Sequence, residues 1–255
     1  MPSSPRPRLL VTRPADRQEP FGTRARALGV DTVAFPCLEI RPDPDARLPD
    51  ASTLAGLDAV LFTSRPAVEA ADRLRPLPWP GVAALAIGTA TAEALTRAGQ
   101  ALRRAPVPPF TSEALLAVLE DAPPLARLLV VKGHGGRNVL ERRLADRGSR
   151  VESVALYRRA RPAADEHRRR RALVESPPDI VSSTSDEALR NLVILAADAH
   201  ATLHRTPLIV NSARAAQGAR SMGFGGELLI ADPAGDAGQL EALAAWLQRR
   251  EGAGP

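Results

Sequence analysis

Ten short runs, most of them rich in Leu, Val and Ile, recur along this chain, separated by stretches whose apolar residues return at helical spacing. The runs read as strands at 8–12, 31–35, 58–62, 83–87, 101–104, 127–131, 150–154, 179–182, 207–210 and 227–230. Helices are expected near 15–28, 65–74, 89–98, 111–120, 137–147, 163–175, 185–198, 212–222 and 236–250. Alternation of strand and helix along the chain points to an α/β fold with parallel sheets, because a parallel neighbour is reached only through a crossover. Strands that are apolar throughout suit sheets covered on both faces. Ser64 before Arg65-Pro66 has the form of a helix start, and Gly29, Gly99, Gly148 and Gly223 stand where C′ glycines end helices.

The alternation repeats itself. Leu9-Leu10-Val11 and Leu128-Leu129-Val130 lie 119 residues apart, as do Gly29 and Gly148. Asp58-Ala59-Val60 and Asp179-Ile180-Val181 are 121 apart, like Thr63-Ser64 and Thr184-Ser185. Ala84–Ile87 runs over Pro207–Val210 at 123, and Gly99 over Gly223 at 124. Landmarks in one order at nearly one spacing imply an internal duplication, hence two similar lobes with a cleft between them. Residues 36–42 and 155–162 each follow a strand and end in Arg-Pro, so they read as extended linkers. The expected division is 1–36 with 161–255 as one discontinuous lobe, 42–154 as the other, and 37–41 and 155–160 as linker strands.

Composition narrows the function classes. A chain of 255 residues builds a sizeable core without staples, and its single cysteine, Cys37, excludes an internal disulfide or a CxxC metal site. A lone thiol, no run long enough for a membrane span, and only Leu9-Leu10-Val11 near the N-terminus suggest a cytoplasmic location. The net charge of +5 favours anionic ligands. Aromatic residues are only 3 %, which disfavours a nucleic-acid stacking platform. The run His167–Arg171 reads as a solvated helix face. His134, His167, His200 and His204 form no metal signature.

Ligands of open α/β sheets bind beyond the C-terminal strand ends. There the chain places Thr12-Arg13, Thr63-Ser64-Arg65, Gly88–Thr91, Lys132–Arg137, Thr184-Ser185 and Asn211-Ser212. These are small, hydroxylic or cationic residues ahead of helix N-termini, whose free N–H groups favour anions. Lys132, the one lysine, reads as a cationic rim residue; a Schiff-base nucleophile is the other possibility. No Gly-x-Ser-x-Gly, P-loop or acid/base pair stands out. Tyr157, the one tyrosine, follows a strand beside Arg158 and Arg159. Two readings of it stand: a phenol facing a ligand, or a ring packed on a lobe edge with its hydroxyl in water.

The chain resembles the uroporphyrinogen-III synthase family through LLVTRP at 9–14, FPCLEI at 35–40, DAVLFTSRPAVEA at 58–70, AIGTATAEAL at 86–95, LLVVKGHGGRNVLERRLADRGSRVESVALYRR at 128–159, DIVSSTSDEAL at 179–189 and PLIVNSARAAQGARSMGF at 207–224. The resemblance implies two flavodoxin-like lobes joined by a two-stranded antiparallel linker. It implies cyclisation of hydroxymethylbilane to uroporphyrinogen III, with loss of water and inversion of ring D, by a cytoplasmic monomer without metal or organic cofactor. Transient contact with the preceding pathway enzyme is the one macromolecular partner it suggests, with neither nucleic acid nor membrane. Tyr157 matches the position implicated in departure of the hydroxyl. Thr63, Ser64, Thr91, Gly133, Arg137, Thr184 and Ser185 match cleft-lining positions. Arg13, Arg65, Lys132 and Ser212 join them as expected substrate contacts. Lys132 stands where many relatives carry Arg, Asn211–Arg214 departs from the family's turn, and His134 is an insertion read as neutral. The rival reading is a non-catalytic two-lobed protein that binds an anionic polycarboxylate.

Overall fold

The computed structural model describes residues 5–120, 122–136 and 138–252. The chain divides into two compact units: one takes the chain up to Glu39 and again from Ala160, and the other spans Ile40–Arg159. In chain order the elements begin β1 (Arg8–Val11), α1 (Gln18–Ala27), β2 (Asp31–Ala34), β3 (Glu39–Pro42), α2 (Ala51–Ala55), β4 (Ala59–Phe62), α3 (Arg65–Leu74), β5 (Ala83–Ala86), α4 (Thr89–Arg97) and α5 (Ser112–Glu120). They continue β6 (Arg127–Gly133), α6 (Val139–Asp146), β7 (Arg150–Ala160), α7 (Glu166–Arg169), β8 (Ile180–Ser182), α8 (Asp186–Ala196), α9 (His200–Arg205), β9 (Leu208–Val210), α10 (Ala213–Ser221), β10 (Leu228–Ile230) and α11 (Asp236–Gly252). No described helix is long and apolar enough to cross a membrane.

The first unit holds a parallel sheet in the order β10-β9-β8-β1-β2. Leu9 and Val11 face one core cluster and Leu10 the other, so period-two alternation sends each apolar residue of β1 into a dry layer. This is the covered parallel sheet that unbroken apolar runs demand. Cys37 lies within this unit, fully buried, its Sγ 3.2 Å from the Phe35 carbonyl oxygen. Burial pushes its thiol pKa far up, because a thiolate there would be desolvated.

The second unit orders its strands β3-β7-β6-β4-β5, with β7, β6, β4 and β5 parallel. Leu128 and Val130 enter one cluster, Leu129 and Val131 the other. Asp50 caps α2, its carboxylate accepting from the Thr53 N–H and the Ser52 hydroxyl at 2.7 Å each. These bonds stabilise the charged form and hold its pKa at about 2. Ser64 caps α3, its Oγ accepting from the Ala67 N–H, with Pro66 in the first turn where a missing N–H costs nothing. The four glycines at 29, 99, 148 and 223 all have positive φ and close their helices.

Several elements differ from expectation. Residues 101–104 form no strand; only a bridge between Ala84 and Leu102 occupies that place. Arg103 and Arg104 deprive that segment of apolar residues to bury. Residues 150–160 are one continuous strand, so the strand expected at 150–154 and the linker strand expected at 155–160 join without a break. The expected helix at 163–175 is α7 followed by a π-helical turn over Arg170–Val174. The short elements β3, α2 and α9 carry too few residues to show a period.

Candidate active site

The site grows from a register change at the C-terminal end of β6. Lys132 pairs with Ala155, but Gly133 pairs with Tyr157, so β7 gains one residue at Leu156. That bulge breaks alternation and lets Leu156 and Tyr157 both enter the same buried cluster. Tyr157 is only 4 % exposed. Its ring lies directly over Gly133: a Cβ there would sit 2.5 Å from the ring carbon bearing the hydroxyl. Glycine is the residue that permits this approach.

The phenol reaches the start of α3. Tyr157 Oη lies 2.9 Å from Ser64 Oγ, and Ser64 Oγ also accepts from the Ala67 N–H at 3.3 Å. The hydroxyl pair therefore sits at a helix N-terminus, where the dipole favours negative charge. An open cavity of about 400 Å³ adjoins it, lined by Thr63, Ser64, Lys132, Gly133 and Tyr157 among the expected residues. Ser112, Glu141 and Arg159 line it too. Lys132 Nζ pairs with the Glu141 carboxylate and donates to Asn138 Oδ1 at 2.7 Å. Its charge is thus balanced inside the wall, which fits an anchored cation and not a free amine nucleophile. The Thr63 hydroxyl points back to the Val131 carbonyl oxygen at 3.4 Å.

Other expected residues stand elsewhere. Arg65 lies in the first turn of α3, 3.5 Å from the Glu69 carboxylate. Thr91 is buried in α4, its N–H donating to the Gly88 carbonyl. Arg137 lies outside the described residues. Arg13, Thr184, Ser185 and Ser212 belong to the first unit. Ser185 and Ser212 cap α8 and α10, and the Thr184 carbonyl accepts from the Asn211 amide. Arg13 is 7 % exposed, bonded to Asp236 at 2.5 Å and Gln239 at 3.1 Å, with its guanidinium 3.9 Å from the Phe21 ring centre. These internal contacts tie Arg13 to its own unit.

Sequence reasoning missed three features. The His134 imidazole pairs with the Asp43 carboxylate, although 91 positions separate them and His134 looked neutral. Glu141 is the partner of Lys132. Gln239 is fully buried and bonds Arg13, Ser182, Ser183 and Asn211. A signal for Gln239 existed, because it falls beside Leu240 and Leu243 on the apolar face of α11. For the Asp43–His134 pair there was none. Among the described residues, no group of three or more His, Cys, Asp or Glu side chains is placed to hold a metal ion.

Comparison with known proteins gives consistent matches. The family model described as uroporphyrinogen-III synthase HemD matches residues 19–237. The uroporphyrinogen-III synthase of Salmonella typhimurium is 32 % identical over 248 residues, 92 % of this chain and 99 % of that protein. The Escherichia coli K12 protein of the same name is 32 % identical over 247 residues, with the same coverage. Among solved structures, uroporphyrinogen-III synthetase from Helicobacter pylori 26695 has a TM-score of 0.63 at 14 % identity, covering 95 % of this chain and 99 % of that one. A mutant uroporphyrinogen III synthase from the extreme thermophile Thermus thermophilus has a TM-score of 0.58 at 22 % identity and the same coverage. Those two likenesses speak to the fold.

Proposed function

The chain belongs to the uroporphyrinogen-III synthase family, whose members act in tetrapyrrole biosynthesis, and from that premise we propose that it cyclises hydroxymethylbilane with loss of water and inversion of ring D. The observation that carries the site assignment is the buried Tyr157 phenol, held on Ser64 beside a cavity whose wall includes Lys132 and Arg159. A phenol in that position can donate to the departing hydroxyl, which leaves as water, and Ser64 keeps the O–H oriented. The remaining work is positioning. Ring D must be attacked at its substituted carbon, giving a spiro species that fragments and recloses. A lining that combines apolar Ile87, Val139 and Leu140 with polar residues suits a pyrrole that carries carboxylates.

The first unit offers a second set of helix starts at Ser185 and Ser212, and we assign Thr184, Ser185 and Ser212 a role in holding side-chain carboxylates. We also read the two units as copies, with β3 and the outer half of β7 as the two crossings of the chain. The shared strand order supports this, as does the unit boundary between Glu39 and Ile40 and between Arg159 and Ala160. Location in the cytoplasm and a transient contact with the enzyme supplying hydroxymethylbilane complete the proposal.

The test supplies purified protein with freshly generated hydroxymethylbilane, oxidises the products and separates type I from type III uroporphyrin. Type III in excess over a protein-free control is expected. Tyr157→Phe should lower turnover by about 100-fold, the scale of a lost proton donor, with little change in melting temperature. Only type I at the spontaneous rate would overturn the assignment.

A further inference from the structure

The bulge that turns Tyr157 into the wall needs something to hold it, and the structure shows what does. At Leu156 and Tyr157, β7 is bonded on both sides. The Asp43 N–H, just past β3, donates to the Leu156 carbonyl at 3.0 Å. The His134 N–H, just past β6, donates to the Tyr157 carbonyl at 2.8 Å. The side chains of these same two residues then meet, imidazole Nε2 against carboxylate. The links close a loop around the bulge, passing from β3 through β7 to the glycine turn after β6.

The pair is placed to last. The Asp43 side chain is only 9 % exposed. Its carboxylate also accepts from the Asp45 N–H at 3.1 Å, and Arg158 on β7 brings its guanidinium to 3.6 Å. The Asp45 N–H first, then the His134 imidazole and the Arg158 guanidinium, hold the Asp43 carboxyl below the usual carboxylate range. His134 is followed by Gly135 and Gly136, both at positive φ, a turn with little stiffness of its own. The imidazole contact ties that turn to Asp43.

We infer that His134 and Asp43 are positioning residues for Tyr157: they lock the bulge in β7 and thereby keep the phenol on Ser64. Neither residue lines the cavity, and neither is assigned contact with the substrate. The inference deepens the reading of Tyr157 given above and rests on it for its kinetic consequence. Its structural part stands without it.

One feature of the sequence makes the test clean. Tyr157 is the only tyrosine, so protein grown with 3-fluorotyrosine gives a single fluorine resonance that reports this ring alone. His134→Ala should shift or broaden that resonance and lower kcat by about tenfold with KM changed less than about twofold, as misplacement of a reacting group does. His134→Gln keeps a donor for Asp43 and should restore both readouts in large part. Asp43→Asn, which removes the charge and keeps the shape, should fall between them. If the alanine variant does not fold, the glutamine and asparagine variants carry the comparison. An unchanged resonance and unchanged kcat in the variants, even with a lowered melting temperature, would make the pair merely structural and overturn the inference. Formation of only type I product by the unaltered protein would instead strike the functional reading, leaving the fluorine result to judge the bulge lock alone.

Discussion

β1 in the first sheet and β6 in the second make matching contacts. In the first unit, Leu9 pairs with Ile180 and Arg8 with Asp31. In the second, Leu128 pairs with Ala59 and Arg127 with Arg150. Residues 119 apart thus occupy matching registers, yet the C-terminal edges of the two sheets differ. Arg13 and Lys132 stand at matching positions. Arg13 is drawn inward by Asp236 and Gln239 from α11, whereas Lys132 is held by Glu141 on the helix that follows its own strand. On α5, the helix in the place of α11, Leu115 stands third after the helix start, as Gln239 does, and is buried in an apolar cluster. An amide at that position cross-links three strand ends; a leucine leaves the edge to Tyr157, Gly133 and the cavity. One framework therefore serves two ends, and a few side chains decide which edge is stitched.

Gly133→Val presses hardest on this contrast. The position matching Gly133 in the first unit is Pro14. In the second unit the new side chain would occupy the Tyr157 ring, and turnover should fall by at least about 100-fold. Retention of wild-type turnover would remove the close approach from the account.

Exchanging the two helix positions tests the stitch itself. Gln239→Leu leaves Arg13, Ser182, Ser183 and Asn211 short of a partner and should cost about 2–4 kcal/mol in urea unfolding. Leu115→Gln buries an amide in an apolar layer and should cost about 2–3 kcal/mol. If either swap proves neutral, the two edges are interchangeable and the comparison fails.

Cap serines separate shared from particular roles. Ser64→Ala, Ser185→Ala and Ser212→Ala should each lower stability by about 1 kcal/mol, since each Oγ accepts one free N–H. Only Ser64→Ala should also move the tyrosine signal, because only Ser64 bonds a phenol.

Acid should act on the second unit through the depressed carboxylates of Asp43 and Asp50. Asp43 is lowered first by the Asp45 N–H and then by His134, and Asp50 is lowered to about 2 by its cap bonds. A folded pKa below the unfolded one adds stability that is complete above about pH 4 and disappears as pH falls toward 2. The melting-temperature gap between wild type and Asp50→Asn should therefore narrow over that range. A gap that stays constant from about pH 6 to about pH 2 would contradict the cap-bond origin of the shift.

Legibility in the sequence followed range. The N-cap serines, the C′ glycines and most strand bounds were readable because each rests on a few adjacent residues with a fixed steric or hydrogen-bonding reason. Thr63, Ser64, Lys132, Gly133 and Tyr157 were readable as residues at strand ends. Arg13 was readable as a strand-end cation, but its tie to Asp236 depends on a helix 223 positions away. The pairing of Lys132 with Glu141, and of His134 with Asp43, carried no local mark. The bulge at Leu156 was invisible because apolar residues on both sides of it fit a regular strand equally well.

The sequence by itself determined the α/β alternation, the covered parallel strands and the family, all of which follow from periodicity, turn chemistry and ordered motifs. Only the tertiary structure decided which strand-end cation is stitched into its unit and which borders a cavity. It alone decided that two successive residues of β7 share one face. Those outcomes depend on register and on side chains arriving from distant helices, and neither is encoded in the spacing along a strand.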